Sequence, residues 1–227
     1  MDDMWAPVLE KAWAKVKGSY FNADEGNSEN AMRALIGVPV FGYGGIGTDT
    51  ELDGAYGLLG AAASAGYIVG AAAVAGTAAN HGTGTNECGL VKNHNYSILT
   101  TFTMNDAINV VLIDMIMLRD PTGTTEYSGA WNYQDVNWTP ALLAQVPNGI
   151  DPETSNEDGI FVVPKEMLKT ESDCLSSFAV AHYRAAEGYH SVWYDELASE
   201  DVEHSYYFTI PSDLDPMTVQ YNANVVD

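Results

Sequence analysis

The run "NVVLIDMIML", residues 109–118, is apolar at nearly every position. A strand with one buried face alternates apolar and polar side chains, so an almost unbroken apolar run of this length requires cover on both faces. Just ahead of it "NYSILTTF", residues 95–102, does alternate, and "TMNDA" between them is a short connection, so the two strands form an antiparallel hairpin. Any fold for this chain must set that hairpin inside a sheet with material packed above and below. With the turn centred near Asp106 and Ala107, residues whose numbers sum to about 214 face each other, which places His94 opposite Asp120. Facing residues have Cβ atoms roughly 5 Å apart. A carboxylate at that distance is within reach of an imidazole nitrogen and can fix the ring's tautomer.

Helical spacing brackets the sheet. Trp5, Val8, Leu9, Ala12, Trp13 and Val16 recur along residues 4–17 and predict an amphipathic helix with one heavily apolar face, stopped at Gly18. "SENAMRALIG" predicts a short helix capped by Ser28 and ended by Gly37, and the Gly-rich "VFGYGGIG" after it a flexible turn. That stretch lacks the lysine of a phosphate loop and the setting of a dinucleotide site. A third helix begins near Thr50, turns Leu52, Leu59 and Ala62 inward, ends at Gly66 and leads into the strand "YIVGAAAV". Downstream come an aromatic turn region over 127–138 and a short helix opened by Thr139 and Pro140. "EDGIFVVPKEML" then gives a turn, a strand and a helix start, and strand-like segments follow from residue 173. The fold class is therefore α+β with an antiparallel sheet.

Charge narrows the function. With 31 Asp and Glu against 9 Lys and Arg, the net charge of −22 repels nucleic acid and anionic membranes, leaving cations or a protein partner as natural counterparts. The uncharged run over 54–79 is mostly Ala and Gly, which contribute little to membrane insertion, so it reads as a core helix followed by a buried strand. Cys88 and Cys174 make no disulfide framework and are expected to be buried thiols, and nothing in "MDDMWAPVLE" resembles a secretion signal; both point to an intracellular protein. His81, Cys88 and His94 share one loop at a spacing that fits no zinc pattern, and His182, His190 and His204 fall in or beside predicted strands, where packing accounts for them.

Several motifs in order carry a resemblance. "GLVKNHNYSI" resembles the calpain segment G-L-V-x-G-H-A-Y-S, "LRDPTGTTEYSGAW" resembles L-R-N-P-W-G-x-x-E-W-x-G-x-W, and "EDGIF" and "VLEKAWAKVKGSY" fall at matching places. The similarity is to the second catalytic lobe of the papain-like calpain core over residues 1–186, with 187–227 resembling the start of a C2-like β-sandwich. It implies that His94 is the catalytic base and that Asp120 occupies the place of the orienting asparagine. Thr122 stands where the family has a tryptophan that shields the site. The family's nucleophile lies upstream in a Gly-Asp-Cys-Trp-like context, and no such stretch occurs in this sequence. Glu126 and Asp158 match acidic positions of the lobe's calcium loop, while Tyr133 and Ile160 stand where carboxylates are expected, so any calcium binding is expected to be weak. Two readings follow: a lobe inactive alone that serves as a binding or structural subunit, or half of a calcium-dependent cysteine endopeptidase completed by a cysteine-bearing first lobe. Either implies a protein partner and an intracellular, cytoplasmic or cytoskeleton-associated setting, without nucleic acid or membrane.

Overall fold

The computed structural model describes residues 4–23, 26–74, 84–123, 127–154 and 158–182. In chain order the elements are α1 (Trp5–Val16), α2 (Tyr20–Ala23), α3 (Ser28–Ile36), β1 (Val40–Gly44), α4 (Asp49–Ser64), β2 (Ile68–Ala73), β3 (Asn95–Asp106), β4 (Val111–Arg119), α5 (Pro140–Leu143), β5 (Ile160–Pro164) and β6 (Leu175–Ala181). The strands form one six-stranded sheet in the order β1-β6-β2-β3-β4-β5, and every neighbouring pair is antiparallel. Residues 187–227, expected to start a second β unit, lie outside the described residues.

The apolar run is β4, and its two faces enter two different cores. Ile116 and Leu118 join Leu52, Leu59 and Ala62 of α4 and Tyr96 and Phe178 of the sheet. Met115 and Met117 join Trp138, Leu142 and Val146 on the opposite side. All four of these β4 side chains are buried. A third, smaller core on that opposite side lies under α3, where Met32 and Ile36 cover Val40 and Ala179.

The helix α4 forms as its spacing predicts. Thr48 and Glu51 make a reciprocal capping box at its start, and such a cap is worth about 1 kcal/mol. Glycine at 66 takes the left-handed conformation that lets the chain turn back into β2. In α3 the cap is Asn27 rather than Ser28, because the Asn27 side chain accepts from the amides of Glu29 and Asn30. The expected turn at "VFGYG" is an edge strand, β1, held by pairing with β6 some 130 residues later, a partner that local composition does not reveal. The apolar stripe of α1 forms but stays uncovered among the described residues: Trp5, Val8 and Val16 are 68%, 61% and 77% exposed, and of this helix only Ala14 is buried.

The hairpin is present with a different turn. Strand β3 runs through Asp106, and the reversal occupies residues 107–110. Facing residues therefore sum to 217 near the turn, as in Asp106 and Val111, rather than 214. The Asp106 carboxylate accepts from the backbone amides of Ile108 and Asn109, while Val110 sits at φ +55°, so side-chain bonding does the work usually left to an Asn-Gly turn. A bulge between Ile98 and Thr100 shifts the register by one. Tyr96 and Ile98 before it face the α4 side, whereas Phe102 and Met104 after it, at positions of the same parity, face the opposite core.

The cysteines are not separate thiols. Cys88, in the loop ahead of β3, and Cys174, at the start of β6, form a disulfide with Cα atoms 5.5 Å apart, a normal span for such a bond. The β2–β3 connection brings two buried sulfurs together across 86 residues of sequence, which their spacing alone does not disclose.

Candidate active site

His94 is the last loop residue before β3. Its backbone is tied to the sheet, since its carbonyl accepts from the Ala73 amide at 2.9 Å. Asn93 ahead of it sits at φ +54°, a left-handed conformation that asparagine tolerates better than most side chains; this is where the calpain-like pattern has glycine. The Tyr96 ring meets the imidazole edge-on, with centroids 5.0 Å apart. Tyr96 in turn accepts the Val91 amide on its hydroxyl at 2.9 Å. Burial, reinforced by the negative charge of Asp120, pushes the Tyr96 phenol up to about 12, so it remains a neutral brace at any ordinary pH.

Asp120 follows β4 in a tight turn. Its amide donates to the Gly159 carbonyl at 2.8 Å and its carbonyl accepts from Gly123 at 3.1 Å. A Cβ at residue 159 would lie 2.7 Å from the Asp120 carbonyl oxygen, so glycine is required there for the two loops to meet. Asp120 is 4% exposed. Its Oδ1 lies 3.3 Å from Nε2 of His94 and accepts the amide and hydroxyl of Thr122 at 2.8 and 2.7 Å.

The sequence thus brings together the two residues it singles out, by a route other than the expected register. The ladder ends at Ser97 opposite Arg119, and Asp120 reaches His94 diagonally from the turn beyond. An ionised carboxylate only accepts, so the neutral ring carries its proton on Nε2 and leaves the Nδ1 lone pair unbound. Among the described residues no hydrogen bond engages Nδ1, and the side chain is 27% exposed. Such a ring is a base with one nitrogen left for a proton. Tyr96 and Gly159 escape sequence reasoning as parts of this site, although "EDG" is a turn signal that could have marked the second; the place of Thr122 beside the site is legible, its bonds to Asp120 are not.

The loop carrying His94 is anchored by Asn86. Its side chain accepts the amides of Cys88 and Leu90 at 3.0 Å each and donates to the Cys174 carbonyl at 2.9 Å, parallel to the disulfide. Cys88 has no thiol to offer as a nucleophile while that bond stands. Of the calcium candidates, Glu126 lies outside the described residues. Asp158 is exposed and its carbonyl accepts from Arg119, while Ile160 belongs to β5 and packs against the second core. Ile160 brings no side-chain oxygen and Tyr133 only a phenol, so neither adds a carboxylate to the loop. Among the described residues no three of His, Cys, Asp and Glu converge on one point, and no helix is long and apolar enough to cross a membrane.

Residues 1–176 match the family described as calpain family cysteine protease. Calpain-12 of Mus musculus is 32% identical over 141 residues, covering 60% of this chain and 18% of that protein. The calpain-1 catalytic subunit of Sus scrofa is 25% identical over 177 residues, covering 78% of this chain and 23% of that protein, and calpain-9 of Rattus norvegicus is 28% identical over 179 residues, 76% and 24%. The chain spans about a fifth of the length of the curated relatives it matches.

Proposed function

The chain belongs to the calpain family of cysteine proteases, and on that premise we propose that it is the histidine-bearing lobe of such a centre, inactive alone and acting as a binding or structural subunit. His94 is the general base and Asp120 the acceptor that orients it. The observation carrying this reading is the 3.3 Å contact from Nε2 to Asp120, which leaves Nδ1 for a thiol. The only cysteines in these 227 residues are Cys88 and Cys174, and both are consumed in the disulfide. Peptide cleavage needs a thiolate within roughly 3 Å of that nitrogen and oxyanion donors beside it, and with both sulfurs in the disulfide no thiolate is on hand. The uncovered apolar stripe of α1 supports a protein partner, because such a surface is normally buried. We place the protein inside the cell, cytoplasmic or cytoskeleton-associated, on its family membership alone, since the disulfide removes the support that separate thiols would lend.

A second reading rests on the open Nδ1: docking a cysteine-bearing lobe would complete an active endopeptidase. The test is turnover of a broad fluorogenic peptide by the purified chain, alone and with a separately expressed calpain cysteine lobe. No turnover is expected alone. Turnover by the lone chain that is blocked by a thiol-directed inhibitor and lost in His94→Ala would overturn the proposal, and turnover only with the added lobe would establish the second reading.

A further inference from the structure

The Asp120 carboxylate is a buried anion with no lysine or arginine bonded to it among the described residues. Burial of a carboxylate is costly unless donors replace its water. The donors on Oδ1 are the His94 ring, the Thr122 amide and the Thr122 hydroxyl. The last is the shortest at 2.7 Å, in the range of a charge-assisted bond. A tryptophan at position 122, as in the calpain-like pattern, keeps the backbone amide and has no hydroxyl. An asparagine at position 120 needs none, because it is neutral. Asp120 and Thr122 therefore depart from the pattern in matching ways.

We propose that Thr122 is a positioning residue for His94: its hydroxyl and amide together hold Oδ1 on Nε2, so that the imidazole presents Nδ1 as its free lone pair. This rests on the reading of His94 as a base, and it explains how a carboxylate serves where a neutral amide is the pattern. Hydroxyl and amide grip one oxygen from two directions, which fixes the rotation of the carboxylate. With the amide alone the group can swing Oδ1 away from the ring.

The experiment uses the full chain labelled with 15N at histidine, read by two-bond proton–nitrogen spectra at a pH where the ring is neutral. Wild type is expected to show His94 as the Nε2–H form. In Thr122→Val, which keeps the amide and loses the hydroxyl, that form should fall by at least half with Nδ1–H appearing, and Thr122→Ser should restore it. A Thr122→Val spectrum identical to wild type overturns the proposal, as does a serine variant as altered as the valine one. Should Thr122→Val be too unstable for spectra, urea unfolding of that change, made alone and on top of Asp120→Asn, decides. The stability loss should drop to about half beside the neutral amide, since bonds to a charged acceptor are roughly twice as strong; an equal loss in both backgrounds marks a mere turn residue and overturns the proposal. None of these readouts needs turnover. A correct tautomer in a chain that a cysteine lobe cannot activate would sink the catalytic reading and leave the role of Thr122 standing.

Discussion

Reducing the Cys88–Cys174 bond should cost this chain more stability than most point mutations. The bond closes 86 residues of sequence, and the loop-entropy relation gives about 4.5 kcal/mol for a loop of that size, as the restriction it places on the unfolded chain. Little should be lost from the native side, because the Asn86 side chain ties the same loop to the Cys174 carbonyl without the sulfurs. For a urea dependence of about 2 kcal/mol per molar, the unfolding midpoint should fall by about 2 M on adding reductant, and Cys88→Ala/Cys174→Ala should unfold near the reduced midpoint whether or not reductant is present. Thiol titration of the guanidine-unfolded protein should find no free thiol before reduction and both after it. Two titratable thiols in the untreated protein, or a midpoint that reductant leaves in place, would refute the reasoning and return Cys88 to the set of possible nucleophiles.

Two further outcomes test the packing around the site. Lys165 donates to Asp53 of α4 at 2.7 Å and to Asp114 of β4 at 2.8 Å, so Lys165→Met should cost about 1–2 kcal/mol in urea unfolding at pH 7. Burial alone would raise the Asp114 carboxyl, but bonds from Lys165 and Thr103 outweigh it and hold the group below its usual 3.8; that contribution is present at neutral pH and disappears as the carboxyl protonates, so the difference between variant and wild type should shrink toward pH 3. His182 lies between Phe41 and Tyr67 with a buried Nε2 that has no hydrogen-bond partner among the described residues, and burial lowers it from its usual 6.5. A base lowered in the folded state takes up protons first when unfolded, so stability should fall as pH drops through about 6.5, and His182→Phe should flatten that limb in unfolding curves between pH 7.5 and 5.5.

What the sequence discloses is whatever depends on near neighbours. The capping residues Thr48 and Glu51 and the spacing of Leu52, Leu59 and Ala62 lie within α4 itself, and that helix forms as expected. Two-sided burial follows from the apolar run for Met115–Leu118, whereas Val111 and Leu112 beside the hairpin turn stay 48% and 72% exposed. The strand at "VFGYG" stays hidden because its partner β6 is distant in sequence and glycine weakens any local strand signal. The hairpin turn is misplaced because Asp106 and Val110 build it without glycine. At the site, the pairing of His94 with Asp120 is legible because both flank the hairpin; the bond from Thr122 is local to the Asp120 turn but depends on a side-chain rotamer that spacing does not give, and the part played by Gly159 depends on how separate loops meet.

The bulge in β3 acts as a change of phase. A single uninterrupted alternation would send all of Tyr96, Ile98, Phe102 and Met104 to one side of the sheet, crowding one core and emptying the other. One inserted residue lets the same strand serve both cores in succession. Length at this point is therefore more constrained than identity: Leu99 is 43% exposed and tolerates exchange for other side chains, whereas a chain one residue shorter there could keep the Tyr96 that braces His94 or the Met104 that fills the second core, but not both.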